Sequence, residues 1–393
     1  MIQRLFISII SILVCITASA QGVCIINGKI TDTRLNSGEK IKKVFLTRSD
    51  EYGKATIVEE AKVKKGKYSF KYEIAQDEPV LLYTITGFDN NNCIELFIEP
   101  GEITINTTSA ATPSKSTVSG TTTNDTYTKY KAMMNSCHED IEREISALAA
   151  NKGKEWIESS EGKRAKEKIE AKEAIKTMSQ WISFLLDHND SPMTPLEIER
   201  SLLHKLTDAY AEQMTNTIST KLHNHPYYLS LRNKMLSRNM KVGYETPNIA
   251  LPLENGDTKH LADFRGKYVI LNYWAPDCKK SADMIAEMSN LYNVVKDNNE
   301  QFIIVSVCIS NKIDEWKAAI KSNNINHSHW LHACDGLGYE SPAVKLMKAD
   351  KTPQIMLIEP EGKAVSFNIE IEEIAIRVEQ ILSGDLYYLD QEK

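Results

Sequence analysis

The chain has 393 residues, of which 42% are hydrophobic and 25% are charged, with a formal net charge of -6. This balance is typical of globular domains and excludes a mainly disordered chain or a polytopic membrane protein. The slight acidity argues against a dedicated nucleic-acid binder, because phosphate binding needs a basic face. At about 100–200 residues per domain, we expect two or three domains.

The first twenty residues have the pattern of a signal peptide. Arg4 precedes the apolar run 5–14, and the small residues Ala18-Ser19-Ala20 follow it. A positive start, a short apolar run and an A-x-A site predict cleavage after Ala20. The alternative, an N-terminal anchor, is disfavoured because a bilayer needs about 20 apolar residues. We therefore expect the mature chain to be exported to the periplasm or cell envelope, with no stable membrane span after signal removal.

Cysteine usage gives no disulfide framework. Seven cysteines in the whole chain are too few for a disulfide scaffold. Removal of the signal peptide leaves an even number, which permits disulfides outside the cytoplasm. Their wide scatter assigns no pairing. The remaining cysteines are Cys24, Cys93, Cys137, Cys278, Cys308 and Cys334.

Residues 21–108 have the pattern of a small antiparallel β-sandwich. The run 67–74 alternates polar with apolar or aromatic residues, which is the period of a half-buried strand. Glu99-Pro100-Gly101-Glu102 separates two apolar runs and predicts a hairpin. Residues 109–125 are rich in Ser, Thr, Ala and Gly without an apolar period, so they predict a linker.

Residues 126–240 have helical composition. Ile141, Ile145 and Leu148 recur at helical spacing, and further helices are predicted near 198–215 and 227–236. Residues 241–386 then alternate strands with helices, as an α/β domain does. The sequence therefore predicts a multi-domain protein with a β-sandwich, a helical middle region and a C-terminal α/β fold.

One cysteine occupies a chemically informative position. The buried-strand run 267–274 leads through Ala275-Pro276-Asp277 into Cys278, and a helical pattern follows. A helix N-terminus stabilises a thiolate through its dipole and its unpaired N–H groups. The adjacent Lys279 and Lys280 add positive charge, whereas Asp277 opposes it.

Residues 242–385 resemble the thioredoxin-like fold, specifically the TlpA-like branch of exported thiol–disulfide oxidoreductases. The resemblance rests on several short segments taken together. Residues 24–108, with Phe97-Ile98-Glu99-Pro100-Gly101, look like the small β-domain of unknown function that often precedes such domains in Gram-negative envelope proteins. The C-terminal segments are 246–249, 256–258, 261–268, 272–278, Thr352-Pro353 and Glu361-Gly362-Lys363.

The chain departs from the redox motif of that family. The family has Cys-x-x-Cys, whereas this chain has Cys278-Lys279-Lys280-Ser281. Asp277 replaces the usual Trp before the first Cys, and Ala286 replaces a Pro in the following helix. In a dithiol enzyme the second thiol resolves the mixed disulfide, and Ser281 cannot do so. Its hydroxyl can hydrogen-bond a thiolate on Cys278.

The resemblance also implies a substrate groove. Pro353 matches the family's cis-proline, and an X-Pro bond adopts cis far more readily than other peptide bonds. Thr352 would offer its backbone groups to an extended substrate. Trp274 and Pro276 would flank the same groove, although packing alone is an equally good interpretation of both. Pro353 could also be a plain turn proline at the start of a strand.

A histidine-rich segment is a candidate metal site. His327, His329, His332 and Cys334 have side chains that bind zinc or copper. Residues 330–336 nevertheless look like the family's ordinary strand and turn before the cis-proline. We therefore predict no metal site and no cofactor.

Two functions remain open from the sequence. The first is thiol–disulfide exchange at Cys278, with Ser281 and Pro353 completing the site, and with exported proteins that carry thiols or disulfides as partners. The second is a non-catalytic binding or assembly module of the cell envelope, which Asp277, Ser281 and Ala286 favour. Whether the protein is an enzyme is thus left open, and no nucleic-acid partner is expected.

Overall fold

The structure, a computed structural model, describes residues 20–50, 53–89 and 92–385. Apart from Ala20, the predicted signal peptide lies outside these residues. The chain divides into two compact units, Met1–Phe184 and Leu185–Lys393. Over the described ranges, no helix combines the length and apolar character that crossing a bilayer requires.

The first unit begins with a β-sandwich, as the sequence predicts. Two four-stranded sheets have the orders β4-β1-β7-β8 and β3-β2-β5-β6. In strands such as β4 and β7, alternate residues point into a shared core because side chains alternate across a strand. The strands are β1 Ala20–Asp32, β2 Lys43–Ser49, β3 Ala55–Lys62, β4 Lys67–Ala75, β5 Leu82–Thr86, β6 Ile94–Phe97, β7 Gly101–Ser109 and β8 Thr117–Ser119.

The predicted hairpin at residues 99–102 is wrong. Strands β6 and β7 lie in different sheets, and β7 pairs in parallel with β1 instead. The chain crosses between the sheets at this turn, where Glu99 is hydrogen-bonded to the first turn of the helix that begins at Thr122. The Glu99 carboxylate accepts hydrogen bonds from the Thr123 backbone N–H at 2.8 Å and from its hydroxyl at 3.0 Å.

The segment predicted as a linker is ordered and belongs to the sandwich. It contains a 3-10 turn at Pro113–Lys115 and strand β8, which pairs antiparallel with β7. Val118 is 1% exposed in the sandwich core. The hydroxyls of Thr107 and Ser116 lie 2.8 Å apart. The small polar residues of this segment form hydrogen bonds with the sheet and not only with solvent. Composition alone therefore predicted a linker where the chain forms a strand.

Long helices follow the sandwich. Tyr130 lies against Phe184, with ring centroids 5.7 Å apart, and against Trp181 at 6.4 Å. The boundary between the two units falls inside the last of these helices, so the region predicted as one helical block is divided. The helices are α1 Thr122–Lys152, α2 Lys154–Glu158 and α3 Ser160–Asp187.

We expect Asn124→Ala to destabilise the first unit by about 3 kcal/mol, because two buried backbone groups lose their partner at about 1–3 kcal/mol each. Asn124 is 1% exposed. Its side chain accepts from the Phe97 N–H at 2.8 Å and donates to the Phe97 carbonyl at 2.7 Å. Denaturant unfolding followed by circular dichroism measures the loss. The exposed Asn135→Ala on the same helix is the matched control, and an equal loss in both variants would contradict the interpretation.

The second unit begins with short helices. The continuous helix predicted near 198–215 is interrupted, because a 3-10 turn at Leu203–Lys205 ends one helical segment and Thr207 caps the next. The guanidinium of Arg238 satisfies the freed carbonyls, donating to Leu203 O at 2.6 Å and Leu206 O at 3.0 Å. The helices are α4 Met193–Glu197, followed by a π-helical turn at Ile198–Leu202, then α5 Asp208–Thr217 and α6 Pro226–Arg238.

A five-stranded sheet forms the centre of the α/β part, in the order β13-β12-β11-β14-β15. Strand β12 pairs in parallel with both β11 and β13. Strand β14 pairs antiparallel with β11, and β15 pairs antiparallel with β14. A short hairpin precedes this sheet. The strands are β9 Ala250–Pro252, β10 Thr258–His260, β11 Tyr268–Trp274, β12 Phe302–Cys308, β13 Trp330–Ala333, β14 Gln354–Ile358 and β15 Ala364–Ser366.

Helices cover both faces of this sheet, so strand β12 is buried along its whole length. One face packs against residues such as Met288, Trp316 and Val378, and the other against Val344 and Met347. The fold class predicted from the sequence is thereby confirmed. The helices are α7 Lys279–Val295, α8 Ile313–Ser322, α9 Pro342–Leu346 and α10 Ile371–Ser383.

Candidate functional site

Cys278 lies at the junction of β11 and α7, where the sequence places it. It is the N-cap residue of α7, and its backbone N–H donates to the Ala275 carbonyl at 3.1 Å. The side chain is half-buried, so reagents can reach the sulfur. A 17-residue helix begins directly after it, and its unpaired N–H groups favour negative charge on the sulfur.

Ser281 supports this sulfur from inside the fold. Its side chain is fully buried, and its Oγ accepts a hydrogen bond from the Ala275 backbone N–H at 3.2 Å. The same hydroxyl lies near the Cys278 sulfur and lowers the pKa of that thiol. A hydroxyl has one proton, so the bond accepted from Ala275 leaves that proton free to be donated to a thiolate on Cys278.

These contacts lower the pKa of Cys278 below its ordinary value. The hydrogen bond from the Ser281 hydroxyl is the main cause, and partial burial opposes it. The backbone N–H groups of Ser281 and Lys280 and the side chain of Thr352 also lower the pKa. A lowered pKa raises the thiolate fraction near neutral pH, and the thiolate is the nucleophilic form.

The loop before β14 forms the other side of the site. The Thr352–Pro353 peptide bond is cis, as predicted. Strand β14 pairs with β11 next to this loop, with Tyr273 opposite Gln354. The Cys278 sulfur consequently lies 3.8 Å from the Thr352 carbonyl oxygen. The structure thus brings together Cys278, Ser281, Thr352 and Pro353.

The two remaining predicted groove residues, Trp274 and Pro276, differ in whether they reach the groove. Trp274 is 2% exposed and packs in the hydrophobic core, as its packing interpretation predicts. Pro276 is half-buried and lines an open groove of about 410 Å³ together with Asp277. The loops 309–312 and 337–340 form the rest of the groove.

Sequence reasoning missed Tyr339. It is 52% exposed, lines the groove, and its hydroxyl lies 3.5 Å from the Thr352 hydroxyl. The available signal was the run Gly336-Leu337-Gly338 before it, since both glycines have positive φ in a loop that turns back to the site.

The histidines of residues 327–332 do not converge. His332 is buried and its Nε2 bonds the Ile325 carbonyl at 2.9 Å, and burial lowers its pKa to about 4. His327 instead stacks on Tyr292, with centroids 4.3 Å apart. Within the described ranges, no group of three or more His, Cys, Asp and Glu side chains is arranged to hold a metal ion.

We expect Cys278 to react with iodoacetamide at a lower pH than an ordinary thiol of pKa about 8.5. Because the pKa of Cys278 is lower in the folded chain than in the unfolded chain, its thiolate form stabilises the fold at alkaline pH. This stabilisation is lost as the pH falls through the folded-state pKa. Ser281→Ala should move the alkylation curve of Cys278 to higher pH. Peptide mapping by mass spectrometry gives the rate at each cysteine.

Cys93 is the internal comparison for this experiment, because burial raises its pKa. Its alkylation should begin at a higher pH than that of Cys278. Coincident curves for the two thiols, or no effect of Ser281→Ala, would refute the role assigned to the Ser281 hydroxyl.

Comparison with known families identifies two matching regions. Residues 266–364 match the thioredoxin-like family, and residues 24–127 match a domain of unknown function, DUF4369. The chain therefore carries a thioredoxin-like domain behind an N-terminal domain of the kind that the sequence resembles. The match runs from β11 through β14 to the first residue of β15, and it includes Cys278, Ser281 and Pro353.

Curated relatives are similar over the same part of the chain. The thiol-disulfide oxidoreductase ResA of Bacillus subtilis is 28% identical over 123 residues, which are 31% of this chain and 64% of that protein. ResA of Bacillus thuringiensis is 27% identical over 143 residues, 36% of this chain and 78% of the relative. The chain thus spans just under two thirds of the length of the Bacillus subtilis relative.

Solved structures match in the same way. A thiol-disulfide oxidoreductase from Bacteroides fragilis is 26% identical, covers 35% of this chain and 98% of its own, and has a TM-score of 0.33. The thioredoxin domain of a thiol-disulfide oxidoreductase from Bacteroides vulgatus is 25% identical, covers 36% and 98%, and also has a TM-score of 0.33.

Proposed function

We propose that this protein is an exported, thioredoxin-like protein of the cell envelope that exchanges thiols and disulfides through Cys278 alone. The observation that supports it most is the buried Ser281, which stands where the family has its second thiol: its hydroxyl accepts from the Ala275 N–H at 3.2 Å and lowers the pKa of Cys278. The proposal includes removal of residues 1–20, a β-sandwich that extends through β8 at Thr117–Ser119, a helical region that ends near residue 240 and a thioredoxin-like domain 241–386.

The chemistry proceeds by one exchange step at Cys278. Its thiolate attacks one sulfur of a partner's disulfide, the sulfur–sulfur bond breaks, and the partner's other sulfur leaves as a thiolate that takes a proton. The partner is then joined to Cys278 through a mixed disulfide. Ser281 has no sulfur, so a thiol from outside the site must attack this bond and release the partner.

The partner would lie across the Thr352 loop and the adjacent groove. The Thr352 carbonyl, 3.8 Å from the Cys278 sulfur, is an acceptor for an extended segment of an exported protein. Tyr339 and Pro276 add apolar surface beside it. The exposed Lys279 and Lys280 give this rim positive charge, which Asp277 partly offsets.

Trapping in the envelope tests the proposal. Cells that express the full chain are quenched with acid and alkylated, and proteins disulfide-linked to the chain are identified by mass spectrometry. We expect mixed disulfides in the wild type and in Cys93→Ser, which is the matched control. They should be absent from Cys278→Ser. No mixed disulfides in any variant, or the same set in Cys278→Ser, would contradict thiol exchange.

A non-catalytic binding module is the second candidate function. The observation that favours it is the groove, because Pro276, Asp277 and Tyr339 line it and Cys278 does not. Partners that bind there need no sulfur chemistry. Co-purification of the same partners with wild type and Cys278→Ser, without disulfide links, is the result that this function predicts.

A further inference from the structure

Two cysteines that the proposed exchange does not use meet at the ends of β12 and β13. In the parallel register of these strands, Val307 pairs with Ala333, so the next residues, Cys308 and Cys334, are neighbours. Both pack in the same hydrophobic cluster, with 2% and 7% exposure. Their thiols are close enough to shift each other's pKa.

The distance between two adjacent strands is compatible with a disulfide bond between Cys308 and Cys334. Adjacent strands lie about 4.8 Å apart. This spacing is inside the range of about 4.4–6.8 Å between the Cα atoms of disulfide-bonded cysteines. Further contacts fix Cys334 in place: its N–H donates to the Pro252 carbonyl at 3.0 Å, and its sulfur lies 3.7 Å from the Ser310 carbonyl.

The pair is separate from the Cys278 site. Strand β11 lies between β12 and β14 in the sheet. The sulfur of Cys278 faces the Thr352 loop on the β14 side, whereas Cys308 and Cys334 lie on the β12 and β13 side. Cys24, Cys93 and Cys137 belong to the first unit.

We propose that Cys308 and Cys334 form a redox pair, separate from Cys278, which closes as an intramolecular disulfide when the protein meets a small-molecule disulfide. This inference goes beyond the proposed function, because it requires no reaction at Cys278.

Two exchange steps balance the reaction. The Cys334 thiolate attacks one sulfur of the small disulfide, whose other sulfur leaves as a thiolate and takes a proton. Cys308 then loses its proton and attacks the Cys334 sulfur, and the second small thiolate leaves with that proton. Two protein thiols are oxidised, and one small disulfide is reduced to two thiols.

The order of attack follows from the acidity of the two groups. The hydrogen bond with Cys308 lowers the pKa of Cys334, although burial opposes this. The same hydrogen bond, burial and the nearby carboxylates of Asp277 and Asp335 raise the pKa of Cys308. Cys334 is therefore the attacking thiolate, and Cys308 closes the bond.

Closure would fix the groove beside the Cys278 site. The loop 309–312 starts directly after Cys308, and the loop 335–340 starts directly after Cys334. Residues of both loops line the groove with Pro276 and Asp277. A disulfide would join the two loops at their bases and reduce their freedom to separate. The pair is thus a redox control on the shape of this groove.

The experiment uses the full chain and its Cys278→Ser variant. Each is equilibrated with graded ratios of oxidised and reduced glutathione, quenched with acid, unfolded and alkylated, and its peptides are mapped. We expect Cys308 and Cys334 to lose alkylation together and to appear in one cross-linked peptide, whose mass is lower by two hydrogens. Hydrogen exchange in the loops 309–312 and 335–340 should slow on oxidation.

The single variants Cys308→Ala and Cys334→Ala are the matched controls. Cys308→Ala should stop at a mixed disulfide between Cys334 and glutathione, Cys334→Ala should leave Cys308 open to alkylation after unfolding, and neither should give the cross-linked peptide. If a variant does not fold, the wild-type peptide map still decides. Full alkylation of both cysteines in the most oxidising buffer would overturn the proposal, as would a cross-link from either one to Cys278. Loss of exchange at Cys278 with retention of the cross-linked peptide would refute the proposed function alone.

Discussion

Ser281→Cys should convert the single-thiol site into a dithiol site that releases its partner without an external thiol. The Ser281 hydroxyl is close enough to lower the pKa of Cys278, so a sulfur at this position starts near the mixed disulfide. Intramolecular attack by a well-placed group corresponds to effective concentrations far above those of a free thiol, so we expect release to be at least about 100-fold faster.

A mixed disulfide between Cys278 and a small fluorescent thiol gives the measurement. Its release is followed in the wild type, in Ser281→Cys and in Ser281→Ala, with no added thiol. Only Ser281→Cys should release the label and acquire a disulfide bond at the site. If the three proteins retain the label equally, the geometry assigned to position 281 is wrong.

Trp330→Ala should cause the largest loss of stability in the second unit, about 3–5 kcal/mol. Trp330 is 1% exposed, and it packs near Tyr292 with ring centroids 6.0 Å apart. Its Nε1 donates to the Ser306 hydroxyl at 2.7 Å. The substitution therefore opens a cavity between α7 and the sheet and removes the partner of a buried hydroxyl.

Trp330→Phe helps to separate these two effects, because it keeps an aromatic ring in the core with a smaller loss of volume and removes the hydrogen bond to Ser306. We expect it to cost about 1–2 kcal/mol. Circular dichroism in denaturant measures global unfolding, and hydrogen exchange at β12 and β13 locates the loss. A smaller loss for Trp330→Ala than for Trp330→Phe would contradict the packing argument.

The sequence predicted where Cys278 and Pro353 lie in the fold, because their signals are local; the role of this site in exchange stays a prediction. An apolar strand followed by a helical period places Cys278 at a helix N-terminus, and Pro353 marks the facing loop. The hydrogen bond from the Ala275 N–H to the Ser281 hydroxyl depends on the path of the chain around residue 275, so it was not predicted. The family motif that the sequence resembles predicted only an interaction of this hydroxyl with Cys278.

Longer-range features escaped the sequence analysis for physical reasons. The turn at Glu99 looks like a hairpin, but its contacts with Thr123 lie in a later helix. Strand β3 is mostly exposed and therefore shows little apolar alternation. Cys308 and Cys334 become neighbours only through the register of β12 and β13, which no local pattern specifies.

The position of β1 within its sheet has a consequence for how the chain is made. This strand lies between β4 and β7, so both of its edges need partners that are synthesised later, after strands of the opposite sheet. Until β7 has emerged, an apolar strand with Cys24, Ile26 and Ile30 has an open edge. Open edges pair with other chains. A nascent chain held extended until residue 119 has emerged would complete this sheet without passing through that aggregation-prone stage.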